Sequence, residues 1–315
     1  MTRKNATELL LQNEEGIARA VQILSAGDLV ALPTETVYGL AARADSSEAV
    51  AKIFEAKGRP SFNPLIVHVK NLEQAERLGH FDSRARDLAA KFWPGPLTLV
   101  LPVKDGARLA PAICAGLATI ALRQPAHPVM LGLLGAVDFP LAAPSANRSE
   151  SISPTRPEHV MASLGKSCPA IFDGGAAQAG LESTIVALRA DGGWSHLRPG
   201  PLSKETLEKV LGPEAKAQGG KIEAPGQLAR HYSPGKPMRL NASEVAQDEF
   251  WIGFGAFSGE INLSQSGELD EAAANLYNCL HIAAASKQSR IAVAPIPRQG
   301  IGRAINDRLR RAATI

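Results

Sequence analysis

The stretch GDLVALPTETVYGL, residues 27–40, decides how the chain is read. Leu29–Leu32 is a short apolar run, and Pro33, which has no N–H to give a ladder, ends it as a strand. Just upstream, Glu14–Ala26 sets Ile17, Val21 and Leu24 on one helical stripe and stops at Gly27. Downstream, Ser46 or Ser47 caps a second helix that buries Val50, Ile53 and Phe54 and ends at Gly58. A helix, a strand, a polar loop and another helix in succession predict an α/β sheet.

Further strands are expected at Leu65–Val69, Leu97–Leu101, Ala118–Leu122, Leu141–Ala143, Ala170–Phe172, Thr184–Leu188 and Trp194–Leu197. From Gly212 to Pro237, repeated Gly and Pro break every period, as in a linker. Beyond it, strands at Phe250–Phe254 and Arg290–Ala294, a helix at Asp270–Ser286 and a basic helix at Gly302–Ala313 make a small α/β unit. The expected division is 1–211, a linker at 212–237, and 238–315.

Of the 315 residues, 45% are hydrophobic and 21% charged, as in an ordinary globular protein with a sizeable core. A net charge of +3 permits anionic ligands but does not by itself argue for nucleic acid. Cys114, Cys168 and Cys279 are odd in number and far apart, which suits a reducing cytoplasm rather than a disulfide scaffold. The N-terminal apolar run Leu9–Leu11 is shorter than the roughly 7–15 residues of an export signal. No apolar stretch approaches the roughly 20 residues that span a bilayer.

Gly165-Lys166-Ser167 ends like a phosphate-binding loop, but Val160 stands where that motif requires glycine. Gly253-Phe254-Gly255 starts like a dinucleotide fingerprint and has Ser258 at its third glycine position. The seven histidines are scattered, so no protein metal cage is expected.

What remains is a series of polar tips at strand and helix ends. Pro33–Leu40 follows the first strand; read alone, it is equally a polar turn or a ligand loop. Lys57 and Arg59 flank Gly58 at a helix C-terminus, where cations also favour the macrodipole. Asn63 leads into a strand carrying His68 on the face of Ile66. Arg123 ends another apolar strand and needs an anionic partner or solvent. Ala143-Pro144-Ser145-Ala146-Asn147 and Gly180-Leu181-Glu182-Ser183-Thr184 repeat the design, and Arg198-Pro199-Gly200 closes the series. Together they describe a cationic crevice for a small polyanion.

These tips, with Lys52–Pro60 and Asn63–His68, closely resemble the YrdC-domain family over about the first 210 residues. Ala224-Pro225-Gly226 and Arg230-His231-Tyr232-Ser233-Pro234 resemble the linker of the long, two-domain threonylcarbamoyl-AMP synthases. Phe62, Ala176-Ala177-Gln178, Ala224 and Gln227 depart from the family pattern around the turns and the linker. The resemblance implies a twisted, open mixed sheet with a smaller Rossmann-like α/β domain behind it. It implies that L-threonine, bicarbonate and ATP give threonylcarbamoyl-AMP, pyrophosphate and water, supplying a downstream tRNA-modifying transferase complex. It assigns Lys57, Arg59, Asn63, Thr119, Ser145, Asn147, Arg198 and Tyr232 to ATP. Thr36, His68, Arg123, Ala143 and Ser183 go to threonine, and Mg2+ is held mainly by phosphates and water. Lys57 and Arg59 are the expected catalytic cations, and the linker is expected to act as a lid. Competing expectations are a non-catalytic double-stranded RNA-binding module and an enzyme that adenylates carbamoyl phosphate.

Overall fold

A computed structural model describes residues 7–215, 223–226 and 231–314 of the chain. Of the expected linker, 216–222 and 227–230, which include Gln227 and Arg230, lie outside the described residues.

The first unit is built on a ten-stranded mixed sheet. Its strands are β1 (Glu8–Leu10), β2 (Val30–Leu32), β3 (Gly39–Arg43), β4 (Ile66–His68), β5 (Leu97–Pro102), β6 (Thr119–Arg123), β7 (Leu141–Ala142), β8 (Ala170–Phe172), β9 (Thr184–Leu188) and β10 (Trp194–Arg198). Their spatial order is β1-β8-β2-β3-β7-β4-β6-β5-β9-β10. Parallel pairs such as β2–β8 and β4–β6 alternate with antiparallel ones such as β2–β3 and β5–β6. The helices are α1 (Glu14–Ser25), α2 (Ser47–Lys57), α3 (Leu72–Glu76), α4 (Ser83–Phe92), α5 (Pro128–Ala136), α6 (Pro157–Leu164) and α7 (Lys204–Leu211).

Two-residue periodicity explains the layering. In β2, Val30 and Leu32 join the core beneath α1 and α5, while Ala31, with Leu29 just before the strand, points into the core shared with α2. The sheet is therefore buried on both faces. Ser46 is the residue that caps α2, accepting from the Ala49 N–H, and Gly58 ends the helix in the left-handed region at φ 59°.

The expected strands are present with ends shifted by about one residue, and one shift has consequences. Arg123 is the last residue of β6 rather than the residue after it, so its position is fixed by pairing with His68. Strands β1 and β3 were not anticipated. β3 reads Gly-Leu-Ala-Ala-Arg, which has little strand propensity, and it forms because β2 and β7 bracket it.

The second unit has a four-stranded, wholly parallel sheet ordered β11 (Met238–Leu240), β14 (Arg290–Val293), β12 (Glu249–Gly253), β13 (Ile261–Asn262). It is covered by α8 (Leu269–Ala285) and α9 (Gly302–Ala312). Its core also takes in Val37, Ile152, Leu181 and Tyr232, so the two units share apolar packing. None of the described helices is long and apolar enough to cross a membrane.

Candidate active site

The loop after β2 is folded by its own hydroxyls. Thr34 Oγ1 accepts from the N–H groups of Thr36 and Val37 (3.2 Å each) and donates to the Val37 carbonyl at 2.7 Å. That turn aims Thr36 and Glu35 at β6. The Arg123 guanidinium donates from Nη2 to Glu35 Oε1 (2.6 Å), from Nη1 to Thr36 Oγ1 (2.9 Å) and from Nε to the Gly95 carbonyl (3.2 Å). Glu35 is thus the anionic partner that burial of Arg123 demands. Burial alone would raise the Glu35 carboxyl, but Arg123 and the Ala126 N–H hold it below its usual range. Next to this pair, His68 is 2% exposed, and among the described residues neither ring nitrogen makes a well-formed hydrogen bond. Burial, and then the charge of Arg123, keep its imidazole neutral.

A second knot joins α2 to the loop after β7. Lys57, at the end of α2, is 3% exposed and donates to the carbonyls of Ser145 and Asn147, both at 2.6 Å. Asn147 donates from Nδ2 to the Arg148 and Ser151 carbonyls, and its Oδ1 has no partner among the described residues. Gly39 lies against this loop so closely that a Cβ there would meet the Ala143 Cβ at 3.1 Å. Past Gly58, Arg59 folds back and donates to the carbonyls of Asn63 (3.2 Å) and Pro64 (2.8 Å). With no carboxylate beside it, burial and then the Arg198 charge pull Arg59 down to about 10.

A third group comes from β9, β10 and the C-terminal unit. Arg198 grips Ser183, donating to its carbonyl and its Oγ (3.0 Å each), and Ser183 Oγ lies 2.7 Å from Thr98 Oγ1. Beside it, Glu182 accepts from Ser153 Oγ (2.6 Å), from the Tyr277 hydroxyl of α8 (2.8 Å) and from Arg308 Nε of α9 (2.8 Å). Burial opposes ionisation here, yet Arg308, Arg198 and the Ser153 hydroxyl bring the Glu182 carboxyl down to about 2. Arg308 is fully buried and stacks over the Tyr232 ring at 5.3 Å.

All three groups meet around one small cavity of about 50 Å³. It brings together Thr36, His68, Arg123, Ala143 and Ser183 with Arg59, Ser145, Arg198 and Tyr232. Pro225, Gly226 and His231 of the linker also face it. Lys57, Asn63 and Asn147 are not on its wall; they brace the loops that are. Thr119 lies at the other end of β6, four residues or about 13 Å along the strand from Arg123. Sequence reasoning quoted Glu35 and Glu182 without giving them roles. The signal for Glu35 was the unpaired charge of Arg123; Tyr277 and Arg308, far off in sequence, left no local signal.

A family model described as "Telomere recombination" matches residues 22–200, and one described as "Threonylcarbamoyl-AMP synthase, C-terminal domain" matches residues 202–314. A threonylcarbamoyl-AMP synthase of Bacillus subtilis is 40% identical, the match covering 98% of this chain and 96% of that protein. The crystal structure of Pyrococcus abyssi Sua5 complexed with L-threonine superposes with a TM-score of 0.88 at 35% identity, over 98% of this chain and 97% of that one. Escherichia coli YciO, 21% identical with a TM-score of 0.55 over 62% of this chain and 96% of its own, shares the fold alone. Matched along both units by family models and along nearly its whole length by relatives, the chain belongs to the threonylcarbamoyl-AMP synthase family.

Proposed function

We propose that the cavity is the point where L-threonine, bicarbonate and ATP meet to give threonylcarbamoyl-AMP. The carrying observation is that Thr36, His68, Arg123, Ala143 and Ser183 line one cavity with Arg59 and Arg198 beside them. Water leaves when the threonine amine takes up the carboxyl group, and a carbamate oxygen then attacks the α-phosphate and expels pyrophosphate. This chemistry needs aligned reactants and neutralised charge more than a covalent nucleophile.

The threonine carboxylate is assigned to Arg123 and His68. A guanidinium has five N–H donors, and Arg123 uses three, so two remain for a ligand. Neutral His68 offers one donor and one acceptor, both now unused. Thr36 and Ser183 supply hydroxyls and Ala143 its backbone. The phosphates are assigned to Arg59, Arg198 and Ser145, with Lys57, Asn63 and Asn147 holding the loops and Tyr232 covering the site. Thr119 fits this reading only if the nucleotide base reaches the far end of β6.

Glu35 and Glu182, the carboxylates at the site, are already engaged by Arg123 and Arg308. They do not form a cage for Mg2+, so we assign the metal to the triphosphate and water and no step to a protein-held ion. The cavity, at about 50 Å³, is well below the roughly 300–1,000 Å³ of small-molecule sites. Pro225, Gly226, His231 and Tyr232 must withdraw for entry and return to exclude water. Three unpaired thiols suit a reducing compartment, and we place the reaction in the cytoplasm, ahead of a transferase that modifies tRNA. No observation favours the RNA-binding or carbamoyl phosphate readings.

The product itself is the test. Purified protein given ATP, Mg2+, L-threonine and labelled bicarbonate should form threonylcarbamoyl-AMP carrying the label, detected by mass spectrometry. Unlabelled adenylate, or none, refutes the assignment.

A further inference from the structure

We propose that the C-terminal unit has a second anion site, a cleft that binds a small phosphate-bearing ligand. All four of its strands run parallel, so their carboxyl ends lie along one edge, the edge beyond which open α/β sheets bind ligands. At the ends of the neighbours β11 and β14 there is a cleft of about 400 Å³, lined by Leu240, Asn241, Arg298, Arg303, Asn306 and Arg310. That volume falls within the roughly 300–1,000 Å³ of small-molecule sites.

The local structure explains how three arginines come to share it. Asn241 turns the chain off β11 in the left-handed region, φ 55°, which asparagine tolerates. Arg303, Asn306 and Arg310 stand three and four residues apart on α9 and therefore share one face. Asn306 ties that face to the loop after β14, donating to the carbonyls of Ile296 (3.1 Å) and Gly302 (2.8 Å). The same loop delivers Arg298, whose carbonyl accepts from Arg303 Nε at 3.2 Å.

Positive charge prevails in the cleft. Arg303 meets Glu205 at 2.8 Å and Arg310 meets Asp307 at 3.4 Å, but Asp307 is shared with Arg308 and Arg311. Arg298 has no ion pair among the described residues. Guanidinium forks match phosphate oxygens two at a time, which favours phosphate over a simple halide. The cations converge in a concavity instead of tracking along a face, so a small ligand fits better than a nucleic acid backbone. At about 100° per residue, Arg308 falls on the opposite face of α9, where it holds Glu182. Occupancy of the cleft would therefore act on the same helix that braces the first site.

Calorimetric titration of the full chain with inorganic pyrophosphate at physiological salt tests the site. The native protein should show two sites, of which Arg298→Gln/Arg310→Gln removes one, by tenfold or more in affinity, and Arg59→Ala removes the other. Both substituted cleft residues are exposed, so the double variant should melt like the native protein. If Arg59→Ala does not fold, the double variant decides alone: one site fewer supports the proposal and an unchanged titration overturns it. Repeating the titration with AMP separates a nucleotide occupant from a free phosphate. A single pyrophosphate site untouched by the double variant, or RNA binding that it abolishes without any pyrophosphate binding, also overturns the proposal.

Discussion

Arg123 and Arg308 are both buried guanidiniums made tolerable by carboxylates, Glu35 for Arg123 and Glu182 with Asp307 for Arg308. Removing one partner of such a pair typically destabilises by about 3–5 kcal/mol, because the other charge stays buried alone. Glu35→Gln should therefore lower stability on that scale in urea unfolding and raise the threonine KM by misplacing Arg123; an unchanged KM would remove Arg123 from the threonine subsite. His68 is different, since neither ring nitrogen makes a well-formed hydrogen bond to another described residue. His68→Ala should leave the melting temperature within a few degrees and weaken threonine binding by about tenfold, worth roughly 1.4 kcal/mol. A variant that binds threonine normally would contradict the assignment. Acid stability follows from Glu182. Its carboxyl is depressed from 4.5 to about 2, so its contribution is complete above about pH 4.5 and disappears as pH falls towards 2. At about 1.4 kcal/mol per pH unit this amounts to roughly 3 kcal/mol at neutral pH. Glu182→Gln should lower stability at pH 7 and flatten the acid limb of the profile, and an acid limb parallel to that of the native protein would refute this account.

Among the elements, α8 and α9 matter most for the site, because Tyr277 and Arg308 reach Glu182 from them. Gly180 shows how tightly α8 docks: at φ 66°, a Cβ there would lie 2.4 Å from the Ala274 Cα. Gly180→Ala should therefore push α8 off the Glu182 loop and lower the melting temperature; a native-like melt would mean the contact is loose. The strands and helices with strong periodicity were legible in the sequence, among them α1, α2, β8 and β9. The polar tips at strand ends were legible too, since hydroxyls, glycines and arginines stand out there. β3 was not, because Gly-Leu-Ala-Ala-Arg becomes a strand only between its neighbours. Lys57 was read as a cation for ATP; its bonds to two loop carbonyls were not legible, because they depend on burial of the ammonium by tertiary packing. The reach of Tyr277 and Arg308 into the first unit depends on tertiary packing that no local pattern encodes.

For the whole molecule, two α/β units share a core that includes Tyr232; the site is walled by the first unit and the linker and braced at Glu182 from the second. That site activates threonine with ATP. Pyrophosphate release by the purified full chain with ATP, Mg2+ and bicarbonate, with and without L-threonine, tests it most directly. Release should require threonine and fall by two orders of magnitude or more, roughly 3 kcal/mol of barrier, in Arg59→Ala. Release indifferent to threonine, or unaffected by that substitution, would contradict it.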